Sequence, residues 1–216
     1  EKLCILAAKK WDIDVKDVSW EAGHAVSTKS GDIIKPLSLK ELASMATKMG
    51  GAIAGHSEIN AGGTGAAFCL QLVDVEVDPE TGSVTPLRHT VIQDVGRAIS
   101  PDYVEGQMQG GAVQGIGWAL NEEYVYDDQG RLQNTGFLDY RMPVASDVPM
   151  IDTVIVEVPN PNHPYGVRGV GEPTLVSAPA AVANAVENAI GKPMSSLPLS
   201  PPKVLKAVEL LQVAAE

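Results

Sequence analysis

Residues 105–120 read EGQMQGGAVQGIGWAL, with five glycines in sixteen residues. Just upstream, Ser100-Pro101 has the form of a helix start, with serine as N-cap and proline at the first helical position. The helix is expected to run to about Glu122. Each interior glycine costs about 1 kcal/mol relative to alanine, so a helix carrying five needs a close neighbour that requires them. Gly106/Gly110 and Gly111/Gly115 lie four apart, on one side of a helical turn. Such pairs admit a second backbone or a bulky ligand, and tight helix packing and ligand contact stand as equal readings. Gln107 and Gln114, seven apart, share a face that Gln109 does not. An amide presents donors and an acceptor together. That suits the edge of a heterocycle or an oxo group, although a glutamine satisfied by backbone or solvent is the commoner case.

The remaining elements set a frame around this helix. LCILAAKKW (3–11) reads as a helix with a basic end, and DVSWEAGHAVST (17–28) as a strand or hairpin. Ser38 and Glu41 form a capping box for a helix that Gly50-Gly51 ends. Residues 52–65 read as loop or irregular strand, and the glycine-rich runs GAIAGH (51–56) and NAGGTGA (60–66) as turns, because neither is a dinucleotide-binding motif. FCLQLVDVEV (68–77) alternates, DPETG turns, and SVTPLRHTVIQD returns, which predicts a hairpin. DVGRAISP (94–101) reads as a strand-to-helix connection in which Arg97 is available to pair with a carboxylate. YVYDDQGRL (124–132) signals a second hairpin and TVIVEVP (153–159) a strand. Ser177-Ala-Pro179 is read as the start of a helix ending at Gly191, and Ser200-Pro-Pro as the start of a last helix with Val204, Leu205, Val208 and Leu211 on one face. Helices and strands mix without regular βαβ alternation, so the expected class is α+β, with mixed sheets and hairpins beside several packed helices. One region, 1–216, or a smaller subdomain at 1–62 and a main one at 63–216, fits this pattern.

Charge and cysteine content remove several functions. With a net charge of −11 and no Lys/Arg cluster, the chain is unsuited to nucleic acid or to an anionic membrane surface. No apolar run reaches the length of a membrane span. The cysteines, Cys4 and Cys69, have no metal-like spacing and point to reduced thiols in the cytoplasm. Two cysteines cannot hold an iron–sulfur cluster that needs four. His24, His56, His89 and His163 show no metal spacing either.

GVRGVGEPTLV (166–176) places Glu172 between Gly171 and Pro173. Proline biases the residue before it toward extended backbone. With the next helix read as opening at Pro179, the positive end of a helix dipole is a weak explanation for this carboxylate. A surface-loop glutamate is the ordinary alternative; a carboxylate aimed at a substrate is the other.

DVGRAISP, EGQMQGGAVQGIGWALNEE, DYRMPVASDVP, GVRGVGEP and LPLSPPKVL occur in that order. The ordered series resembles the C-terminal part of the molybdenum-binding subunit of the xanthine dehydrogenase/aldehyde oxidoreductase family of molybdenum hydroxylases. The resemblance implies that Glu172 is the catalytic base beside molybdenum, that Gln107 lies against the pterin, and that Gly110 and Gly111 make room for it. No protein ligand to the metal is implied. The implied activity is hydroxylation of an aldehyde or N-heterocycle carbon with oxygen from water, the base being shielded from bulk solvent. The implied cofactor is molybdopterin with molybdenum, taken as the cytosine dinucleotide form because a split subunit suggests a prokaryote. The 2Fe-2S clusters and FAD are expected on partner chains only. Expected partners are therefore the remaining molybdenum-subunit chain, an iron–sulfur subunit and a flavin subunit. Further cofactor loops of the family lie upstream of the matched part. The chain is accordingly expected to be one half of a split subunit or a fragment, inactive alone. A non-catalytic assembly domain is the alternative, which an intact GVGEP turn and glutamine helix disfavour.

Overall fold

The computed structural model describes residues 1–29, 34–60, 63 and 65–215, with the side chains of 209–215 excepted. Helix α1 (Lys2–Trp11) opens the chain and ends with Lys9 and Lys10 in its last turn. Strands β1 (Val18–Glu21) and β2 (His24–Ser27) form the expected hairpin, and β3 (Leu37–Ser38) pairs antiparallel with β2. Its turn uses Ala22 and Gly23, both at positive φ, as a two-residue hairpin turn requires. Helix α2 (Leu39–Ala46) carries the full capping box: the Ser38 hydroxyl accepts from the Glu41 amide and Glu41 reaches back to the Ser38 amide. Leu6, Ala7, Ala25, Leu42 and Ala46 form the core of this unit, Glu1–Asn60. No regular structure follows from Ala52 to Asn60, and residues 61, 62 and 64 of the glycine-rich run lie outside the described residues.

The second unit, Ala61–Glu216, is built on the long hairpin of β4 (Phe68–Val77) and β5 (Val84–Asp94). Period-two alternation gives β4 two unlike faces. Cys69, Gln71, Val73, Val75 and Val77 point inward, while Phe68, Leu70 and Leu72 stay exposed. A bulge between Asp74 and Val75 absorbs one residue of β5. Strand β6 (Ile151–Val156) joins β5 in parallel, giving the order β4-β5-β6. The connection from β5 to β6 runs through α3 (Pro101–Leu120), as a parallel pair requires a crossover. Serine at position 100 makes no side-chain cap, but Pro101 occupies the first turn as expected. The 124–132 turn closes with the single bridge Tyr126–Leu132 rather than two strands.

Helices α3 and α4 (Gly171–Ile190) pack against each other, α4 lying on β4 and α3 on β6. Val91, Val95, Met108, Ala112, Ile116, Val182 and Val186 form the core between them and the sheet. Helix α5 (Pro201–Ala215) docks its start on the β4–β5 turn, where a Cβ on Gly82 would collide with the Leu205 backbone. Val204 of this helix is buried; the side chain of Leu211 lies outside the described ones. Among the described residues no helix is long and apolar enough to cross a membrane. The class is α+β.

The start of α4 corrects the sequence reading. It lies at Gly171, not at Ser177–Pro179, so Glu172 sits in the first turn and Pro179 sits inside the helix. Pro173 falls in the first turn, where the missing N–H has no intrahelical acceptor to lose. The restriction that proline puts on its predecessor is a bias, and contacts to α3 and the sheet override it here. The helix dipole therefore does favour the Glu172 carboxylate.

Candidate active site

The stretch that presents Glu172 is sewn to the ends of β5 and β6. The Arg168 amide donates to the Val95 carbonyl, and the amides of Arg97 and Asn160 both donate to the Gly166 carbonyl. Gly96, at φ 67°, forms a bridge with Val167. A Cβ there would strike the Gly166 carbonyl, so only glycine permits the approach. The Arg168 guanidinium pairs with Asp94 at 3.1 Å, both side chains being 12% exposed. It also donates to the carbonyls of Val158 and Ala66. The Asp94 carboxylate accepts from the amides of Gly96 and Val158 as well. The cation beside Asp94 is therefore Arg168, 74 residues further along the chain.

Four of the five glycines of α3 divide into two groups, while the fifth, Gly117, packs against Glu122 and Pro143. A Cβ on Gly111 would lie 2.8 Å from the Gly171 carbonyl and 2.9 Å from Thr174 Cβ. One on Gly115 would strike Ala178. These two serve the packing of α3 on α4. At Gly106 and Gly110 an added Cβ meets nothing within 4 Å, so helix packing does not require them. The structure therefore assigns one reading to each pair of residues rather than one reading to all.

Gln107, Gly110, Gly111, Gln114, Gly171, Glu172 and Leu175 line a cleft of about 310 Å³ between α3 and the start of α4. On its other side Glu172 borders a larger open groove of about 750 Å³, walled by Ala67, Cys69, Val170, Pro173 and Val176. Gln107 and Glu172 belong to both. Gln107 Oε1 lies so near the helix start that a Cβ on Gly171 would come within 2.9 Å of it. Gln109 points elsewhere and donates to the Ile151 carbonyl, whereas the amides of Gln107 and Gln114 face the cleft. Glu172 itself is exposed, so its shielding does not come from this chain's own side chains. No cluster of metal-ligating side chains occurs among the described residues, and both cysteines are free thiols.

Sequence reasoning missed the polar residues beneath the site. Gln71, His89, Gln93 and Thr174 are all buried on the inner face of the sheet or against it. For Gln71, His89 and Gln93 the only signal was a polar residue at an inward strand position; Thr174, on α4, carried none.

An α+β domain with a glycine-cleared cleft, free amides and a carboxylate at a helix start is a cofactor-binding domain in form. Residues 1–149 match the family model described as "Molybdopterin cofactor-binding domain", and the chain belongs to that family. It is 34% identical over 215 residues to the putative xanthine dehydrogenase molybdenum-binding subunit of Escherichia coli K12, covering 97% of this chain and 28% of that one. It is 44% identical over 138 residues to the nicotine 6-hydroxylase large subunit of Paenarthrobacter nicotinovorans, covering 62% of this chain and 17% of that protein. Among solved structures, CO dehydrogenase from Oligotropha carboxidovorans superposes with a TM-score of 0.80 at 25% identity, covering 99% of this chain and 27% of that one. Quinoline 2-oxidoreductase from Pseudomonas putida 86 does so with a TM-score of 0.76 at 27% identity, covering 96% and 28%. The chain thus spans just over a quarter of the length of the xanthine dehydrogenase subunit that it matches.

Proposed function

We propose that this chain supplies the catalytic base and one wall of the molybdopterin site in a molybdenum hydroxylase that oxidises an aldehyde or N-heterocycle carbon with oxygen from water. The observation that carries the reading is the shared border: Gln107 and Glu172 line both the glycine-cleared cleft and the adjoining open groove. The cleft fits a flat polar heterocycle. Gly110 leaves open space at its wall, and Gln107 and Gln114 bring amide donors and acceptors to its edge. Gly111 sets the approach of α3 to α4 and so the width of the cleft.

When bound, the cofactor supplies two-electron redox chemistry and oxygen transfer from water. The chain's own part is to orient it and to move a proton. Glu172 accepts that proton at its carboxylate, at the border of cleft and groove. Because Glu172 is exposed in this chain, the cofactor and the rest of the subunit must exclude water from it. The chain's span of the E. coli subunit leaves most of that subunit's length unmatched. The matched names "large subunit" and "large chain" belong to multi-subunit enzymes. On the support of those names, the iron–sulfur clusters and FAD are assigned to partner subunits of a cytoplasmic complex. The bacterial relatives support the prokaryotic reading on which the cytosine dinucleotide form rests.

The test is to assemble the chain with its partner subunits and replace Glu172 by Gln. Hydroxylation is expected to fall by roughly 10²–10⁴, the usual contribution of general-base catalysis, with molybdenum content retained. A near-normal rate would remove Glu172 from the mechanism. An assembly with neither molybdenum nor pterin fluorescence after oxidation would instead favour a purely structural domain.

A further inference from the structure

The backbone around Glu172 is held at three carbonyls by strand side chains from beneath and at a fourth by Ser177 of α4 itself. Gln93 Nε2 donates to the carbonyls of Gly169 and Val170, both at 3.0 Å. The Ser177 hydroxyl donates to the Pro173 carbonyl at 3.0 Å. Gln71 Nε2 donates to the Thr174 carbonyl and to Ser177 Oγ. The Thr174 hydroxyl closes the set by donating to Gln93 Oε1 at 2.7 Å. Gln71, Gln93 and Thr174 are buried, the last two completely.

The direction of every bond is fixed by its acceptors. Backbone carbonyls only accept, so each glutamine must turn its NH2 group toward α4. That leaves Gln93 Oε1 for the Thr174 hydroxyl and Gln71 Oε1 for His89. His89 must then carry its proton on Nε2, and its Nδ1 is a buried lone pair with no partner. Burial holds the His89 pKa down to about 4, so the ring is neutral near neutral pH, as the unpartnered Nδ1 requires.

A helix start without a side-chain N-cap is prone to fray. Buried, mutually satisfied polar networks rigidify what they hold. Reacting groups misplaced by about 1 Å can lose on the order of 10²-fold in rate. We propose that Gln71 and Gln93, on adjacent strands β4 and β5, are positioning residues for Glu172. With Thr174 and Ser177 they lock the first turn of α4 to the sheet. The inference rests on the reading of Glu172 as the base and adds what holds it.

The test uses the assembled complex carrying Thr174→Val, Gln93→Leu and the conservative Thr174→Ser. Two quantities are read: amide hydrogen exchange of the 171–180 segment, and kcat and KM against molybdenum content. For Thr174→Val and Gln93→Leu, exchange is expected to quicken by about 10-fold or more. Their kcat should fall about 10- to 100-fold, at unchanged KM and metal content. Thr174→Ser, which keeps the hydroxyl, should match the parent in both. Unchanged exchange in Thr174→Val and Gln93→Leu would overturn the proposal. So would a fall in kcat that merely tracks lost molybdenum. A Glu172→Gln complex run alongside separates the two ideas: if it hydroxylates normally the base reading fails, while the exchange comparison still decides whether the strands lock the turn.

Discussion

Gly115 of α3 and Ala178 of α4 face each other so closely that no Cβ fits at position 115. Gly106, on the same helix, faces open space. Gly115→Ala is therefore expected to destabilise the protein by about 1–3 kcal/mol through overpacking. Gly106→Ala should stabilise it by about 0.5–1 kcal/mol by removing a helix glycine. Thermal melts of the two variants side by side check the opposite signs. Equal shifts would show that the α3–α4 approach is not set by Gly115.

Gln107 contributes an amide to the cleft without being part of the core. Gln107→Ala should leave the melting temperature within about 2 °C, since exposed side chains contribute little to stability. Its molybdenum and pterin content after purification of the complex should fall. Metal analysis by mass spectrometry reads the result, and unchanged content would count against a cofactor contact at this position.

His89 is fully buried and its pKa is held down to about 4 from 6.5. The unfolded chain therefore takes up a proton between those values while the folded chain does not. Stability is complete above pH 6.5, falls as the pH drops toward 4, and the loss levels off below that. The difference corresponds to roughly 3 kcal/mol. His89→Gln, neutral throughout, should flatten the dependence of urea midpoints between pH 7 and 4.5. A variant as acid-sensitive as the parent would place the titration elsewhere.

Arg168 is the cation for Asp94 and the tie between the 166–170 stretch and the strand ends. Arg168→Met strands a carboxylate that is only 12% exposed. It should cost about 3 kcal/mol, seen in urea unfolding. Adding Asp94→Asn should recover part of the loss, and strict additivity of the two changes would argue against a direct pair.

Much of the fold was legible in the sequence because it is written in local terms. The β4–β5 hairpin follows from period-two alternation around DPETG, and the Ser38–Glu41 box and Pro101 mark helix starts through backbone hydrogen bonding within a few residues. The start of α4 was not legible. Pro173 and Pro179 look alike to a local rule, yet one lies in the first turn and the other inside the helix. What decides between them is the fit of Gly171 and Thr174 against Gly111, and the bonds from Gln71 and Gln93.

The candidate site divides in the same way. The ordered motifs pointed to Glu172, Gln107 and Gly110 from the sequence alone, and with them to the molybdopterin family. The sequence also determined that this chain alone cannot ligate an iron–sulfur cluster that needs four cysteines, because two cysteines are a matter of counting. Only the tertiary structure decided which glycines pack and which leave space, since their chemistry is identical and only the neighbour differs. It also decided that Arg168 is the cation beside Asp94. It alone showed Gln71, His89 and Gln93 turned inward beneath Glu172, with bonds from the strands to the start of α4 that span 76 to 103 residues of chain. Contacts of that separation depend on how the sheet and helices close on each other, which no local pattern of residues encodes.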